Sequence, residues 1–401
     1  MKLPVRRKDI RVPGFSFSGV ACGLKDDGRK DVALIFAEKP ASGAGAFTTN
    51  RFAAPPVVIG RERLRNGRVQ AVLVNTKSAN AGTGRSGLAR ANACCALAAR
   101  LLRIDERLVV PSSTGKIGVP LSWPKISRGI RAAVAELSPE GLWEAAEAIR
   151  TTDAFPKVSA RALSIGGRDV TVAGIAKGAG MIHPQMATML CYVLTDADCP
   201  PSLLKKILAE GLAGSFNAIS VDGDTSTNDT ALLLASGDSG VKIAAATAAE
   251  KKLANAVAEI LAELSRMVVA DGEGATKVVG IRIRGARTAA DADRAARAIA
   301  NSILVKTAIY GADPNWGRIA CAAGYSGATF DPSKTTIAID GVEVSRAGEG
   351  TGRAAERRAS KIMRGDAFEI TMTLGAGTHD ATIRTCDLGV DYVRFNSDYS
   401  S

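Results

Sequence analysis

Residues 177–190 read KGAGMIHPQMATML: a glycine-rich turn and a proline lead into Met186, Ala187 and Thr188, and an apolar strand follows. Glycine and proline most often serve turns, so one reading is a tight loop entering a buried strand. The other reading is chemical. A threonine at the start of a buried strand, preceded by the small Ala187 and by permissive glycines, is able to attack its own upstream carbonyl. That attack would cut the chain between Ala187 and Thr188 and leave Thr188 as a new N-terminus. A hydroxyl is a poor nucleophile at its free pKa, but a threonine that owns a free α-amino group carries its own general base. The amine titrates near roughly 7.7–8.0, close to the pH at which a base works best.

This chemistry needs no histidine, and the chain of 401 residues has only His183 and His379. Two are too few for a multi-histidine metal centre and poor material for a His-based triad. The His183-Pro184 pair reads as a turn, and His379 as structural. Seven cysteines (Cys22, Cys94, Cys95, Cys191, Cys199, Cys321 and Cys386) are odd in number, scattered and without a C-x-x-C pair. They read as reduced, mostly buried thiols and argue against a disulfide framework or a zinc site. With 46% hydrophobic and 23% charged residues, the chain is long enough for two or three globular domains. Its apolar stretches break well short of the roughly 18 residues that span a membrane, and the charged Met1–Arg11 segment lacks a signal-peptide core. The expected location is cytoplasmic. A net charge of +12 is dispersed among acids, with aromatics at 4%. That pattern is a solvated surface that attracts small carboxylates, with no nucleic-acid platform.

Period-two alternation predicts strands at Val32–Phe36, Val69–Val74, Val170–Ala176, Met189–Leu194, Val278–Ile283, Thr335–Ile339 and Phe368–Leu374. Helical periodicity predicts helices at Gly87–Leu102, Ile126–Leu137, Gly141–Arg150, Ser202–Gly214, Ala244–Met267 and Ala289–Ile303. The mixture lacks regular βαβ spacing. It implies an α/β chain of the α+β type, with layered sheets covered by helices, and divisions near Thr188 and Arg287.

Three further features bear on chemistry. GTGRSG at 82–87 has the form G-x-G-x-x-G, but the loop from Asn75 to Gly84 is too long for the tight turn of a dinucleotide site, and no acid follows at the needed distance. PSSTGKIGVP at 111–120 follows the strand-like Leu108–Val110. It is either a plain turn or an oxyanion hole built from the Thr114 hydroxyl and the Gly115 N–H. Thr151-Thr152-Asp153, SVDGDTSTND at 220–229, DGEGATK at 271–277 and YGADPNWGR at 310–318 are either Asx-turn loops or site elements. The terminal RFNSDYSS reads as a frayed tail or as part of a site.

Taken together these segments resemble the ornithine acetyltransferase family, the bifunctional glutamate N-acetyltransferases of arginine biosynthesis. The resemblance runs through AGAFTTNR (44–51), STGKIG, TTD, GIAKGAGMIHPQMATML, SFNAISVDGDTSTND, DGEGATK, YGADPNWGRI and NSDYSS, nearly the whole chain. It implies a self-processing N-terminal-nucleophile architecture cut between Ala187 and Thr188. An α chain, 1–187, would carry the oxyanion hole and part of the substrate site. A β chain would carry the nucleophile in 188–286 and a site-completing tail in 287–401. The resemblance puts Thr114 and Gly115 in the oxyanion hole, makes Thr188 the nucleophile, and assigns Thr151, Lys177, Thr188, Glu273, Asn396 and Ser401 to substrate contacts. The residue types agree, since Lys177 suits a carboxylate and Glu273 an α-ammonium.

The implied reaction is ping-pong. Thr188 takes the acetyl group of N-acetylornithine and passes it to glutamate, without metal or prosthetic group, and some members also accept acetyl-coenzyme A as donor. An assembly of two α and two β chains is implied as well. The alternatives are a related N-terminal-nucleophile aminopeptidase or amidase, in which water takes the acyl group, and an uncut relative that only binds ligand. The chain departs from the family's usual N-S-G-N-A-N-A-C-T-G at Thr76, Lys77, Ser78 and Gly82, and Lys116 and Gln185 replace an apolar residue and an asparagine. Lys116, beside the hole, bears on donor preference.

Overall fold

The computed structural model describes residues 10–183 and 189–398, and these form two compact units, 10–217 with 224–268, and 218–223 with 269–398. In the first unit an eight-stranded sheet is built from β1 (Phe15–Val20), β2 (Val32–Phe47), β3 (Arg68–Asn75), β4 (Val109–Ser113), β5 (Lys157–Ile165), β6 (Arg168–Lys177), β7 (Leu190–Thr195) and, after the two-residue β8 (Ile219–Ser220) of the other sheet, β9 (Thr230–Ala235). The strand order is β4-β3-β2-β9-β7-β6-β5, with β1 also on β2. Sixteen residues long, β2 has a register shift between Phe36 and Ala41: its first half pairs with β1, its second with β9, and β3 pairs on both sides of the shift. Two parallel pairs, β3 with β4 and β7 with β9, interrupt an otherwise antiparallel sheet.

The runs LCYVLT and TALLLA are buried along their whole length, as strands covered on both faces must be. One core packs Leu142, Ala145 and Ile149 against Tyr192, Leu194, Leu232 and Leu234. Another packs Cys94, Cys95 and Leu97 of the helix Gly84–Leu102 and Ile126 and Ile130 of the helix Trp123–Ala135 against β2 and β3. The helix Pro201–Ala213 buries Leu203, Leu204, Ile207, Leu208 and Leu212, an i, i+3, i+4 stripe. The helix Ala248–Ala270 lays Ile260 and Leu264 over Gly174 on β6. It begins at a reciprocal cap: the Glu250 N–H donates to Thr247 Oγ1 while the Glu250 carboxylate accepts the Ala246 N–H.

The second unit holds a seven-stranded sheet of β8, β10 (Val278–Ala286), β11 (Thr336–Ile339), β12 (Val342–Arg346), β13 (Glu349–Gly350), β14 (Ala367–Thr373) and β15 (His379–Cys386) in the order β13-β12-β11-β14-β10-β15-β8. Here β10 alternates, with Val279, Ile281 and Ile283 fully buried, because helices cover one face. The helix Ala289–Asn301 supplies Ala292, Ala295, Ala296 and Ile299 to that face.

The α/β class of layered sheets and helices is the one expected, and each predicted strand exists within a few residues. The predicted helix Ala289–Ile303 stops at Asn301, where Ser302 leaves helical geometry and caps a second helix, Ile303–Tyr310, through the Val305 N–H. Arg287, expected as a division, follows β10 directly and lies inside the second unit; the change of unit falls at 268–269. Among the described residues no helix is long and apolar enough to cross a membrane.

Candidate active site

The loop after β4 is held by two asparagines. Asn228, just before β9, donates from Nδ2 to the carbonyls of Ala79 (2.7 Å) and Ser113 (2.9 Å), and Asn75, the last residue of β3, accepts the Ser113 hydroxyl (2.7 Å). The backbone of 114–118 then runs along that of 75–81: Thr114 N–H donates to Asn75 O, Lys116 N–H to Lys77 O and Gly118 N–H to Ala81 O. Between two bonded neighbours, the Gly115 N–H has no partner among the described residues. Gly115 is required there. Its φ is +128°, and a Cβ would stand 2.3 Å from the Lys77 carbonyl carbon.

Beside it, Lys177 at the end of β6 donates from Nζ to Thr114 Oγ1 at 3.2 Å. A hydroxyl whose oxygen accepts from an ammonium still has its own proton to donate. Thr114 O–H and Gly115 N–H are therefore adjacent donors without an acceptor of their own among the described residues, the arrangement that a developing oxyanion uses.

Lys77 occupies the position where the family's usual motif has glycine, and its φ is +73°, the left-handed region that glycine enters at no cost. Thr76 and Ser78 on either side are buried, so the neighbours hold Lys77 in that conformation. Its side chain reaches Asp26 at 3.4 Å.

A buried carboxylate anchors the Lys177 side. Asp153 Oδ1 accepts from Lys157 Nζ (2.8 Å) and from the Gly178 N–H (2.6 Å), and Oδ2 accepts the Thr151 N–H (2.9 Å). Burial opposes its charge, but Lys157, Lys177 and these hydrogen bonds outweigh burial and hold the carboxyl well below its ordinary range. The Lys157–Asp153 ion pair is fully buried. Thr151 and Lys177 are thus brought to one carboxylate, which fixes the turn on either side of Gly178. Lys157 carried no signal that sequence reasoning used, since a lone lysine in the strand-like KVSARALSI does not announce burial; Asn228 lies in the SVDGDTSTND loop singled out as a turn or a site element, without its own role being read.

Asp229, one residue before β9, is 1% exposed. Its Oδ1 accepts the Met189 N–H at 3.0 Å, and its Oδ2 has no hydrogen-bond partner within 3.5 Å among the described residues. Burial pushes this carboxyl well above its ordinary value, against the Met189 N–H, the Lys177 charge and the Thr48 hydroxyl.

In the second unit Asn396, on the helix Val390–Asp398, donates from Nδ2 to Glu273 Oε2 at 3.1 Å. The DGEGATK loop is stapled by Asp387, which is 3% exposed and accepts the N–H groups of Thr276 (2.8 Å) and Lys277 (2.9 Å) and the Thr276 hydroxyl. Gly274, at φ +71°, lets the loop touch the helix, since a Cβ would stand 2.5 Å from the Tyr392 nitrogen. The structure therefore joins Thr114, Gly115, Thr151 and Lys177 in one unit, and Glu273 and Asn396 in the other. Ala187, Thr188 and Ser401 lie outside the described residues, as does Gln185.

A two-sheet α/β protein with a donor pair of the acyl-transfer kind is the class these observations define. The sequence profile of the ArgJ family matches residues 16–401, and the chain belongs to that family. It is 46% identical to the arginine biosynthesis bifunctional protein ArgJ of Symbiobacterium thermophilum over 96% of both chains. It is 45% identical to the protein of that name from Geobacter sulfurreducens, over 97% of this chain and all of the other. The crystal structure of the ArgJ protein of Bacillus halodurans superposes with a TM-score of 0.50 at 37% identity, covering 98% of that chain and 52% of this one.

Proposed function

We propose that this chain cuts itself between Ala187 and Thr188 and then transfers the acetyl group of N-acetylornithine to glutamate through an acetyl ester on Thr188. The observation that carries the reading is the Thr114–Gly115 donor pair beside Lys177 in a member of the ArgJ family. The names of its relatives, bifunctional proteins of arginine biosynthesis, support the pathway and a second donor, acetyl-coenzyme A. The Bacillus chain, matched over nearly its full length yet spanning half of this one, supports a cut near the middle.

The α-amine of Thr188 takes the hydroxyl proton as Oγ attacks the acetyl carbonyl. Thr114 and Gly115 stabilise the oxyanion, and ornithine leaves with the proton. Glutamate then repeats the attack in reverse order. Thr151, Lys177, Glu273, Asn396 and Ser401 hold substrate, Lys177 by its carboxylate and Glu273 by the α-ammonium of ornithine as it leaves and of glutamate before it gives up its proton and attacks. The reaction calls for no metal or prosthetic group. The α and β chains pair as α2β2 in the cytoplasm.

Intact mass under denaturing conditions, with N-terminal sequencing, is expected to give two chains meeting at Ala187 and Thr188. Thr188→Ala is expected to remain uncut and inactive; a Thr188→Ala protein that still moves acetyl from N-acetylornithine refutes the reading. Acetate released at the same rate with and without glutamate would make the chain an amidase.

A further inference from the structure

A cavity of about 530 Å³ in the first unit gathers positive charge with no acid to balance it. Three cations line it, Arg61 of the helix Pro55–Arg63, Arg65 of the turn that follows and Lys205 of the helix Pro201–Ala213, and no Asp or Glu does. Arg61 is pinned by a hydrogen bond from Nη2 to the Thr48 carbonyl and keeps its other N–H groups. The Arg65 and Lys205 side chains have no hydrogen-bond or ion-pair partner among the described residues. Like charges around one space repel one another and concentrate anions there. The walls are set by backbone contact. Gly67, at φ +61°, lets the turn carrying Arg65 close on the helix carrying Lys205, since a Cβ there would stand 2.4 Å from Pro201 Cβ.

Two further sets of polar groups open onto this space. In the first turn of the helix Pro201–Ala213 the Ser202 N–H has no partner among the described residues, and it adds a donor to the cations. On β2 the Gly43 N–H points away from β9, to the Gly67 carbonyl. Backbone groups alternate sides along a strand, so those of Gly45 and Phe47 point the same way. There β3 pairs no further than Ser42, and no described strand meets them. Gly45 and Phe47 both line the cavity and are half-buried, as is Leu64 beside them.

A single phosphate or carboxylate is too small for this space and leaves the strand edge unused. A ligand with several phosphates and an extended amide chain uses all of it. Resting on the second donor in the function proposed above, we propose that this cavity anchors coenzyme A. Its phosphates meet Arg61, Arg65, Lys205 and the Ser202 N–H, and the amides of its pantetheine arm meet the open groups of Gly45 and Phe47 as an added strand would. The arm leads toward β7: Phe47 pairs with Thr230, which pairs with Leu190, two strand spacings or about 10 Å in all.

The test is Arg65→Ser combined with Lys205→Ser in the full chain, two exposed positions outside the acetyl-transfer machinery. Transfer from N-acetylornithine to glutamate reports folding and is expected to match wild type. KM for acetyl-coenzyme A is expected to rise at least about tenfold with kcat little changed, since each charge-assisted hydrogen bond lost is worth about tenfold to a hundredfold. Calorimetry with coenzyme A is expected to show the same loss of affinity. Wild type is expected to bind dephospho-coenzyme A more weakly than coenzyme A, and the double variant to bind the two alike. An unchanged KM for acetyl-coenzyme A in a double variant active on N-acetylornithine overturns the proposal. So does an equal loss with both donors, and so does inorganic phosphate that binds wild type as tightly as coenzyme A. A wild type active on N-acetylornithine that neither binds coenzyme A nor uses its acetyl thioester removes the second donor, and this inference with it, while transfer from N-acetylornithine stands.

Discussion

Gly115→Ala separates the oxyanion reading from a plain turn. At φ +128° the new Cβ would lie 2.3 Å from the Lys77 carbonyl carbon, 2.5 Å from its oxygen and 2.7 Å from its Cα. All three are backbone atoms of a loop pinned by the Asn228 and Asn75 hydrogen bonds, so no side chain can swing aside. Restoring ordinary contact requires the two loops to part by about 1 Å, which strains or breaks the Lys116 N–H to Lys77 O bond. Backbone strain of about 1–3 kcal/mol and a lost hydrogen bond of about 1 kcal/mol give a destabilisation near 2–4 kcal/mol, readable in the urea midpoint. The Gly115 N–H moves with the backbone. Loss of one oxyanion donor costs about 100- to 1,000-fold in kcat, and since the charge it meets exists only in the transition state, KM for N-acetylornithine should hardly change. Acetyl transfer followed by ornithine release, alongside Thr114→Val as a change that leaves the backbone in place, gives both numbers. A folded Gly115→Ala protein with kcat within threefold of wild type refutes the argument.

Lys77→Gly should raise stability by about 0.5–1 kcal/mol, the relief of left-handed strain less the extra backbone entropy of glycine; a lower melting temperature would contradict it. Asp387→Ala orphans the N–H groups of Thr276 and Lys277, costs about 2–4 kcal/mol, and releases the loop carrying Glu273. KM for glutamate should then rise about tenfold while kcat changes less, as initial-rate kinetics will show. In uncut Thr188→Ala, Asp229 keeps its proton above the unfolded value near roughly 3.9, so its contribution is complete below that pH and falls as pH rises toward the folded value, by up to about 1.4 kcal/mol per pH unit. Asp153 has the opposite sign. Its folded carboxyl is depressed, so its contribution persists above the unfolded value and fades only in stronger acid. Denaturant titrations of Thr188→Ala with and without Asp229→Asn should therefore converge at acid pH and diverge above pH 4.

Alternating β10 and the long apolar runs of β3 and β7 were legible because burial on one face or on two leaves a direct trace in the sequence. Strand β9 was not. TALLLA is a short apolar run that periodicity alone cannot distinguish from a helix segment, and its neighbours in the sheet, β2 and β7, come from distant parts of the chain. Ser302 broke a helix that hydrophobic spacing continued, because a cap is a matter of one side chain meeting one N–H. At the site, Thr114, Gly115, Lys177 and Glu273 were readable through motifs. What the motifs do not announce is the support beneath them: Asn228 spanning two loops, Lys157 buried against Asp153, and the close backbone approach that makes Gly115 irreplaceable.

The two buried aspartates of the first unit show how one fold sets opposite protonation states within reach of the same lysine. Asp153 and Asp229 are both almost wholly buried, and burial alone would keep both neutral. Asp153 has a direct ammonium from Lys157 and backbone N–H donors from Thr151 and Gly178, with Lys177 adding its charge, so it ionises. Asp229 has the Met189 N–H, a weak contact from the Thr48 hydroxyl and the more distant influence of Lys177, with one oxygen lacking a close donor among the described residues. The difference is the number of donors and the nearness of a lysine ammonium. Environments push the two carboxyls apart: Asp153, met on both oxygens, is held charged, while burial holds Asp229 neutral.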